Sequence, residues 1–569
     1  MAKIHTLKIS NYRGIKEFEQ IFGGSTLICL IGRGDSGKTT ILNAISVVLS
    51  PHWNHSFYDT DFFQGAIENP IEIEANLYDL PNELLGESKY GLHKKILVNN
   101  DITNDLSIDE SEECQDILTV KLEVTKELEP KWYVDSGRQN QERIEISAND
   151  RAKLNVFLIS DTLDRHFSWS KGNPLYSLLR LEEKGTGKNN VLMDAFRSAK
   201  EKVDNNSFSH LDSTVKKVKD AAAELGLDLA NTQTTIDLRD LSIKEGRICL
   251  HEDDIPVKQK GKGSKRLLSI AIQKNLAESG GIILIDEIEQ GLEPDRVRYL
   301  VNKLKVENKG QVFFTTHSSN VVVELGADNL FLMRKRDTVL KTFDSSFQGC
   351  LRNNPEAFFT KKILVCEGAT EVGICRSLNL FRVRNGESNF ALHGIGIVDG
   401  SGTNFIKYCE DFQSAGYDVC AFCDSDDDAI NLKKKTLSEN GVIVVDCENG
   451  NSIEQQLFND LSWESVIKLI EYAIDENNED SIIAQTSNQF EGTFPTDNFQ
   501  TESKKLRIAL GKASVLKVDK SKKKIDKSWF KRIDHGEFLG NIWFDSISDL
   551  SDKKLNDEYT ILTNWIENV

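Results

Sequence analysis

The stretch from Ile28 to Leu49 reads ICLIGRGDSGKTTILNAISVVL. Its apolar beginning predicts a buried strand, and the apolar periodicity after Thr39 predicts a helix. Glycines between the two let backbone N–H groups turn around phosphate oxygens, while a lysine reaches the β- and γ-phosphates and a threonine holds Mg²⁺. The pattern G-x-x-x-x-G-K-[ST] therefore predicts an ATP site at Gly32, Gly34, Asp35, Ser36, Gly37, Lys38, Thr39 and Thr40.

Two later segments carry further residues that ATP hydrolysis needs. GIILIDEIEQGLEP is an apolar strand ending in Asp286 and Glu287, and VFFTTHSSN is another buried strand ending at His317. An acid at a strand end beside the phosphate loop holds Mg²⁺ through its water shell, and the next glutamate can activate the attacking water. We therefore expect Asp286 to bind the cofactor, Glu287 to act as catalytic base and His317 to sense the γ-phosphate.

A glycine-containing segment precedes another predicted helix. KGKGSKRLLSIAIQ places Gly261, Gly263 and Ser264 before that helix, so that its first N–H groups point outward. The free N–H groups suit an anion, and Ser264 is a candidate cofactor-binding residue.

Composition limits the class of protein. The chain has 569 residues, enough for several domains, and no apolar run approaches the ~18 residues of a membrane span. The ten cysteines lack the spacing of a disulfide framework, which indicates reduced thiols and a cytoplasmic location. Cys420 and Cys423 form a CxxC within an apolar run, which favours core packing over metal or redox chemistry.

Charge is unevenly distributed along the chain. The net charge of −19 disfavours unselective coating of nucleic acid. Residues 504–532 nevertheless contain twelve Lys or Arg and only two acids, Asp519 and Asp526. This basic segment offers a local groove for nucleic acid, and a solvated lysine-rich face is the alternative.

Charged segments between the two groups of nucleotide motifs predict helices. Residues 175–229 include VLMDAFRSAKEKV and LDSTVKKVKDAAAEL, which both show a 3.6-residue apolar period. We expect a helical insertion at 150–235 that forms a dimer, or an ordinary helical layer on the domain surface.

Asp61, in a loop after the phosphate-binding helix, either approaches the nucleotide metal or caps a turn.

Acidic residues follow two predicted strands of the second half. Glu367 and Glu371 lie at the end of KILVC and one helical turn later, and Asp424 and Asp426 follow VCAFC. Parallel α/β sheets place functional loops at the carboxyl ends of their strands, so these residues should meet at one edge. Carboxylates without a neutralising lysine repel one another unless divalent cations share them. A metal site is therefore favoured over a solvated acidic loop.

The motifs of the first half resemble those of an ABC-type ATPase head. The phosphate loop, GKGSKR, LIDE, EQGLEP and His317 resemble its Walker A, signature, Walker B, D-loop and H-loop, although GKGSKR differs from the usual LSGGQ. NYRGI, near the amino end, resembles the RecF/SMC branch. In that branch ATP lies between two heads. The resemblance thus implies a homo-oligomer, at least a dimer, with Ser264 of one copy facing the phosphate loop of the other.

The acids of the second half, EGATE and DSD, resemble the TOPRIM fold of topoisomerases, primases and related nucleases. NSIEQQLFNDL resembles the acidic helix that follows in one branch and makes Glu454 a further ligand candidate. WFKRIDHGEFLG resembles the segment carrying the basic residue of that branch, where we favour Lys531 over Arg532. The resemblance implies Mg²⁺, or alternatively Mn²⁺, held by Glu367, Glu371, Asp424, Asp426 and Glu454.

The whole chain is similar to the overcoming lysogenization defect (OLD) family of bacterial ATP-dependent nucleases, which includes the Gabija nuclease subunit. Its α/β layout places an ABC-type (RecF/SMC-like) ATPase head with a helical insertion at 1–355 and a C-terminal TOPRIM α/β domain at 356–569. The resemblance implies two-metal cleavage or nicking of DNA, commonly in anti-phage defence. The expected partners are DNA at segment 504–532 and a helicase or reverse transcriptase, with no membrane. The expected catalytic residues are Glu287, Lys531, Glu367, Asp424 and Asp426.

Three other functions fit parts of the sequence. A non-catalytic ATP-driven DNA clamp of the SMC type suits the head motifs, but the chain lacks long coiled-coil arms. A strand-passage topoisomerase needs a nucleophilic tyrosine, for which Tyr408 and Tyr417 are near in sequence. A nuclease acting on RNA also remains, because the TOPRIM chemistry does not require a deoxyribose.

Overall fold

The computed structural model describes residues 2–104, 114–167, 173–183, 198, 201, 211–224, 250–278, 281–307, 310–402, 404–448, 450–516 and 528–568. The chain forms two compact units. The first unit comprises Met1–Leu27, Thr39–Glu293 and Glu307–Phe314. The second unit comprises Ile28–Lys38, Pro294–Val306 and Thr315–Val569.

The first unit contains an antiparallel sheet in the order β2-β1-β4-β7-β5-β6, with β8 paired to β7 and β9 to β8. Its first two strands form the hairpin that the alternating amino-terminal residues predict, and β2 lies at the edge. The apolar residues of β1, Ile4, Leu7 and Ile9, are buried. Leu7 and Ile9 alternate as a strand requires, and the pairing with β4 shifts register between Ile4 and Thr6. The strands are β1 Lys3–Tyr12, β2 Ile15–Ile21, β4 Ile71–Tyr78, β5 Lys95–Val98, β6 Asp101–Thr103, β7 Gln115–Val124, β8 Pro130–Val134 and β9 Ile144–Glu145.

A parallel set of strands in the same unit carries the acidic motif. β10 Phe157–Ile159 pairs with β13 Ile282–Ile285, which pairs with β14 Gln311–Thr315. These runs are apolar and almost wholly buried, as strands covered on both faces must be. The short β11 His251–Glu252 and β12 Ile255–Pro256 form a separate hairpin.

The helices of the first unit are α1 Lys38–Val48, α2 Asn82–Leu85, α3 Ala148–Arg151, α4 Pro174–Glu183, α5 Asp212–Glu224 and α6 Lys262–Glu278. Two of them, α4 and α5, lie within the predicted helical insertion. Asp212–Glu224, within LDSTVKKVKDAAAEL, is helical as predicted. Of VLMDAFRSAKEKV, the structure describes only Ser198 and Glu201, both helical. The segment 150–235 is not purely helical, because it also contains the buried strand β10 that KLNVFLIS predicts.

In the second unit the strand before the phosphate loop belongs to a small mixed set. β3 Leu27–Ile31 pairs in parallel with β15 Leu330–Leu332, which pairs antiparallel with β16 Lys341–Thr342. Three helices accompany them along the chain, α7 Pro294–Glu307, α8 Ser319–Glu324 and α9 Gln348–Asn353.

The second unit also contains an all-parallel sheet in the order β18-β17-β19-β20. Its strands are β17 Lys362–Cys366, β18 Ile395–Asp399, β19 Asp418–Cys423 and β20 Ile443–Asp446. Cys420 and Cys423 are buried in β19, in agreement with core packing. The connecting helices are α10 Ala369–Arg384, α11 Phe390–His393, α12 Phe405–Ser414, α13 Asp428–Glu439 and α14 Ile453–Asp460.

Helices after this sheet complete its core. Leu364 and Phe422 of the sheet belong to one buried apolar cluster with Trp529, Trp543 and Leu562. The helices are α15 Trp463–Glu476, α16 Glu479–Gln489, α17 Lys504–Ser514, α18 Ile533–Asp545 and α19 Lys554–Glu567. Among the helices that the structure describes, none is long and apolar enough to cross a membrane.

Candidate functional site

The nucleotide loop between β3 and α1 is shaped by backbone that glycine adopts most readily. Gly32 has a φ of 142°, and a Cβ there would collide with the carbonyl oxygen of Met333, which follows β15. Gly37 has a φ of 106°, whereas a Cβ on Gly34 would meet nothing within 4 Å. The geometry therefore requires the two glycines fixed by the motif and leaves open space at Gly34. Asp35, with a φ of 58°, turns the chain between them.

Lys38 fills the inside of this loop. Its Nζ donates to the carbonyl oxygens of Gly32 and Arg33, each at 2.8 Å, and to Ser36 Oγ at 3.3 Å. A phosphate oxygen carries more negative charge than a carbonyl and makes the stronger hydrogen bond to an ammonium. The loop thus has the backbone shape and the cation that bind a nucleotide phosphate.

Thr39 and Asp286 lie in contact within the first unit. Thr39 Oγ1 donates to Asp286 Oδ1 at 3.0 Å. Asp286 follows β13, and its N–H donates to the Ile159 carbonyl on β10 at 2.9 Å. A hydroxyl and a carboxylate at the end of a parallel sheet are the oxygen donors that Mg²⁺ uses beside a nucleotide. The fold therefore brings these two predicted residues together, with Thr40 next along α1.

Glu287 sits in a strained backbone conformation that two unpredicted residues hold. Its φ is 50°, which is uncommon for a residue with a side chain. Arg266, which is 1% exposed, donates from Nη2 to the Glu287 carbonyl at 2.7 Å and from Nη1 to Gln290 Oε1 at 2.8 Å. The Gln290 amide nitrogen in turn donates to Asp161 Oδ1 at 2.6 Å and lies 3.5 Å from Glu287 Oε2. Arg266 ends the GKGSKR segment and Gln290 belongs to EQGLEP, but the sequence assigns neither residue a role.

The prediction that Gly263 and Ser264 precede a helix is wrong, since α6 begins at Lys262. Both residues belong to its first turn. A Cβ on Gly263 would collide with the carbonyl oxygen of Gly291, so the glycine lets the helix start against this backbone. Ser264 keeps an N–H in the unpaired first turn of the helix, where an anion could still be bound.

The prediction that the strand ends at His317 is wrong by two residues, because His317 lies beyond the end of β14. β14 ends at Thr315, and the N–H of Thr316 donates to the Leu30 carbonyl on β3 at 3.4 Å. The segment therefore runs beside the strand that leads into the nucleotide loop. The imidazole lies 6.4 Å from the Phe359 ring, measured between centroids.

Asp61 caps a turn, which is one of the two predicted alternatives. Its Oδ2 accepts the Tyr58 N–H at 3.1 Å, and its Oδ1 accepts Arg13 Nε at 2.8 Å. Asp61 is 8% exposed, so these contacts account for a buried carboxylate.

In the parallel sheet of the second unit, Glu367 and Asp424 lie at the carboxyl ends of neighbouring strands. Glu367 follows β17, Asp424 follows β19, and the Asp424 N–H donates to Glu367 Oε2 at 3.0 Å. Burial raises the pKa of Glu367, and the negative charge of Asp426 raises it further. The predicted meeting of these acids at one edge of the sheet is therefore what the structure contains.

Two more carboxylates approach from helix N-termini. Glu371, in the first turn of α10, accepts the Gly368 N–H at Oε2 with a distance of 2.9 Å. Glu454 is in the first turn of α14, and the Ile453 N–H donates to Asp424 Oδ1 at 2.7 Å. Burial raises the pKa of Asp424 well above its usual range, with Glu371 and Glu454 adding to the effect. The acids are thus close enough to repel one another when ionised.

Glu454 is the least satisfied member of the cluster. It is 1% exposed, and neither of its side-chain oxygens has a hydrogen-bond partner among the described residues. A buried carboxylate without partners costs free energy that a bound cation would offset. An all-oxygen donor set of this kind fits a divalent metal such as Mg²⁺ or Mn²⁺.

The carboxylates do not enclose a metal in this conformation. Within the part of the chain that the structure describes, no group of three or more His, Cys, Asp or Glu side chains is arranged to hold an ion. Glu367, Glu371 and Asp424 instead accept backbone N–H groups. One oxygen of each of these carboxylates is thereby engaged.

Lys531, rather than the alternative Arg532, lies beside the acids. Lys531 Nζ is 3.8 Å from Glu454 Oε1, and its positive charge opposes the rise in the pKa of Glu371. Arg532 instead donates from Nε to Asp534 at 2.9 Å and contacts Glu476 at 3.4 Å. The fold therefore places Lys531, the residue favoured from the sequence, at the acidic cluster.

Glycines place Lys531 there by letting two helices touch. A Cβ on Gly373 of α10 would collide with the Ile533 carbonyl, and one on Gly536 of α18 would collide with the Thr370 carbonyl. Thr370 Oγ1 also donates to the Phe530 carbonyl. The backbone preceding α18 is thereby fixed against the first turn of α10, which carries Glu371.

A second lysine lies beneath the cluster, contrary to the expectation of carboxylates without a neutralising lysine. Lys434 Nζ donates to the Asp424 carbonyl at 2.6 Å, Ser425 Oγ at 3.0 Å and Asp446 Oδ2 at 3.2 Å. It is 7% exposed and holds the backbone that follows β19. Sequence reasoning missed it because it lies on α13, ten residues beyond the motif.

Comparison with known proteins finds one family for the amino-terminal part of the chain and another for the beginning of its second half. The family described as AAA ATPase domain matches residues 2–322. The family described as overcoming lysogenization defect protein-like, TOPRIM domain, matches residues 358–426. No curated protein matches the chain.

Solved structures similar to the chain are ATPase heads. An SMC head bound to the C-terminal winged-helix domain of ScpA is 16% identical, covers 60% of this chain and 96% of its own, and has a TM-score of 0.33. The recombination mediator RecF is 13% identical, with 60% and 98% coverage and a TM-score of 0.32. At TM-scores this low, the likeness adds no weight to the assignment.

The class defined by the fold and the motifs is an ABC-type ATPase head joined to a C-terminal TOPRIM domain in a mixed α/β chain. The AAA ATPase match spans more than half of the chain, and the TOPRIM match follows it. The protein belongs to the AAA ATPase domain family, and it carries an OLD-like TOPRIM domain, a combination that fits an OLD-family nuclease.

Proposed function

We propose that the protein is an ATP-regulated, divalent-metal-dependent endonuclease that cleaves or nicks DNA. The observation that carries the proposal is the carboxylate cluster of the second unit. Glu454 is buried without a hydrogen-bond partner among the described residues, Glu371 and Asp424 repel it, and Lys531 lies 3.8 Å from it. Such a set is costly unless it holds cations.

Each residue has a role that follows from its position. Glu367, Glu371, Asp424, Asp426 and Glu454 would hold two divalent ions, which supply an activated water and stabilise the leaving oxygen. Lys531 is half-exposed at the rim and offsets charge that develops on the scissile phosphate. Lys434 keeps the Asp424 loop in place from below.

ATP binding is proposed to regulate this site from the head. Lys38 would bind the β- and γ-phosphates, Thr39 and Asp286 would hold Mg²⁺, and Glu287 would activate water for hydrolysis. Ser264 and His317 are proposed to contact the nucleotide as well, with Ser264 contributed to the site of a second copy. Expected properties are a homodimer, a cytoplasmic location and a helicase or reverse-transcriptase partner in anti-phage defence.

A topoisomerase is less well supported than a nuclease. Tyr408 and Tyr417 are 2% and 4% exposed, and their hydroxyls contact Asn353 and the Phe358 carbonyl. Neither hydroxyl is free to attack a DNA phosphate, so neither of these two tyrosines is placed to act as the nucleophile of strand passage.

The test is cleavage of supercoiled plasmid and of structured RNA by the full chain, with Mg²⁺ or Mn²⁺ and with or without ATP. Nicked or linear plasmid, lost on addition of EDTA, is expected. Cleavage of RNA alone would replace the DNA substrate. DNA binding that depends on ATP, with neither nucleic acid cut under any condition, would favour the clamp. Sedimentation of a monomer with and without ATP would contradict the dimer.

A further inference from the structure

Arg33 belongs to the nucleotide loop, yet its side chain reaches the sheet that carries the carboxylates. A Cβ placed on Gly394 would collide with the Arg33 guanidinium and would lie 3.3 Å from Lys361 Cγ. The guanidinium thus fills the space that a side chain at position 394 would take. Gly394, with a φ of 70°, ends α11 immediately before β18. Arg33 and Gly394 belong to the same compact unit.

This contact lies where β17 and β18 start together. The Gly394 carbonyl accepts the N–H of Lys361 at 2.8 Å and that of Lys362 at 3.1 Å. Lys362 is also the first residue of β17 and lies opposite Ile395 in the parallel register. The position of Gly394 therefore sets how the two strands begin.

The same two strands hold the backbone of Glu367 at their other end. The Gly400 N–H donates to the Cys366 carbonyl, and the Gly402 N–H donates to the Glu367 carbonyl, both at 2.8 Å. Parallel pairing joins the two strands from Lys362 opposite Ile395 to Cys366 opposite Asp399. The ladder therefore connects Gly394 to the segment that begins with Glu367.

Arg33 is held loosely at this contact. Its Nη1 is buried, and among the residues described it has no hydrogen-bond partner. A buried donor without an acceptor costs free energy, so the seated conformation competes with others in which this N–H reaches water or an acceptor. A small movement of the loop is therefore sufficient to change the contact.

The loop has a reason to move when a nucleotide binds. Lys38 Nζ now donates to the Arg33 carbonyl at 2.8 Å. Phosphate oxygens compete for the same ammonium and make the stronger bond. When Lys38 turns to a phosphate, the Arg33 carbonyl loses this hydrogen bond. The loop without nucleotide and the loop with nucleotide therefore differ at Arg33, the residue that contacts Gly394. These are the two states with different contacts that coupling between sites requires.

We propose that Arg33 is a positioning residue that transmits the nucleotide state of the loop, through Gly394 and the paired strands β17 and β18, to Glu367. The proposal rests on the proposed function, since it concerns how ATP regulates the nuclease site. Arg33 contacts neither substrate nor metal in this scheme. It acts through the strands.

Hydrogen exchange of the full chain tests the link without relying on cleavage. The protein is compared with and without AMP-PNP, and exchange is followed in peptides covering 28–48, 362–371 and 395–402. In the wild type AMP-PNP changes exchange in all three. In Arg33→Ala the change persists at 28–48 and falls at least fivefold in the other two. Arg384→Ala, which removes an exposed arginine from α10, behaves as wild type.

Arg33→Lys is the second variant, in case Arg33→Ala does not fold. Lysine keeps the positive charge at this position but lacks the planar guanidinium. A wild-type response at 362–371 in both Arg33 variants overturns the proposal, and so does an unresponsive wild type. Plasmid cleavage then separates the two claims. Absence of cleavage in every protein, with exchange coupling lost in Arg33→Ala, refutes the proposed nuclease and leaves the link standing. An equal ATP effect on cleavage in wild type and both variants refutes the link alone.

Discussion

Lys531 Nζ lies 3.8 Å from Glu454 Oε1, with the ammonium half-exposed and the carboxylate buried. The pair joins the segment before α18 to the first turn of α14, two parts of the chain separated by more than seventy residues. Screening by water makes such a half-exposed contact a weak source of stability. Its value is the placement of a cation at the rim of the acidic cluster.

Lys531→Ala should therefore lower the cleavage rate much more than it lowers stability or DNA affinity. The loss of one positioned charge that acts on the transition state predicts a fall of about 10²–10³-fold in kcat. DNA affinity should change little, because other lysines of segment 504–532 still contact phosphates. Single-turnover cleavage and DNA titration measure the two effects. Arg532→Ala is the matched control, and an equal loss of rate in both variants would remove the special role of Lys531.

Stability of the metal-free protein should fall as the pH rises. Burial and the nearby Glu454 raise the pKa of Glu371 from its ordinary 4.5 to about 8. A raised carboxyl pKa stabilises the folded state when protonated, and this contribution is lost as the pH rises from about 4.5 through about 8. The pKa shifts of Glu367 and Asp424 have the same sign. Calorimetry in EDTA should give a lower Tm at pH 8 than at pH 5.5.

Mg²⁺ should reverse this trend, because the cation favours the ionised cluster. We expect Mg²⁺ to raise the Tm at pH 8 and to have a much smaller effect at pH 5.5. Glu371→Gln should weaken the response at pH 8. A Mg²⁺ response that is equal at both pH values would show that the ion binds outside these acids.

Gln290 should orient the base of ATP hydrolysis. Its amide lies between Arg266 and Glu287, so Gln290→Ala removes one contact of the Glu287 side chain and leaves the carboxylate itself in place. The expected result is a fall of roughly 10–100-fold in ATPase kcat with little change in KM, since the loss affects the reacting geometry. Lys38→Ala should instead lose ATP binding, and Glu287→Gln should bind ATP without splitting it. A normal kcat for Gln290→Ala would contradict the orienting role.

The contact between α10 and α18 should tolerate no side chain at Gly373. A Cβ there meets backbone at Ile533 and Gly536, which cannot move like the end of a side chain. Gly373→Ala should cost about 1–3 kcal/mol of unfolding free energy and displace Lys531, lowering cleavage as well. Gly349→Ala is the control, because a Cβ in that helix reaches only the Tyr408 hydroxyl at 4.0 Å. Equal Tm values for the two variants would refute the close helix contact.

Motifs and apolar periodicity predict the local structure around each site. The strand, loop and helix from Leu27 to Val48 follow from glycine positions and the apolar pattern, and so do the strands ending before Asp286, Glu367 and Asp424. Each of these features depends on residues that are neighbours in the chain. Their meeting at sheet edges follows from the geometry of parallel sheets.

Contacts between distant segments could not be predicted in the same way. Arg266 and Gln290 meet across 24 residues, and Gly373 meets Gly536 through backbone that has no sequence signature. The start of α6 at Lys262 depends on the fit of Gly263 against Gly291, which no local propensity records. Tertiary packing decides these features, whereas periodicity and turn residues decide the others.

The central claim is that the buried acids form the metal site of a nuclease, and an isosteric substitution tests it most directly. Glu454→Gln is compared with Glu558→Gln, because Glu558 is an equally buried glutamate of the same unit and burial raises its pKa well above the usual range. Plasmid cleavage with Mg²⁺ or Mn²⁺ is measured beside Tm. We expect Glu454→Gln to lose at least 10²-fold in rate with an unchanged or higher Tm, while Glu558→Gln cleaves like wild type. Wild-type cleavage by a folded Glu454→Gln would contradict the account.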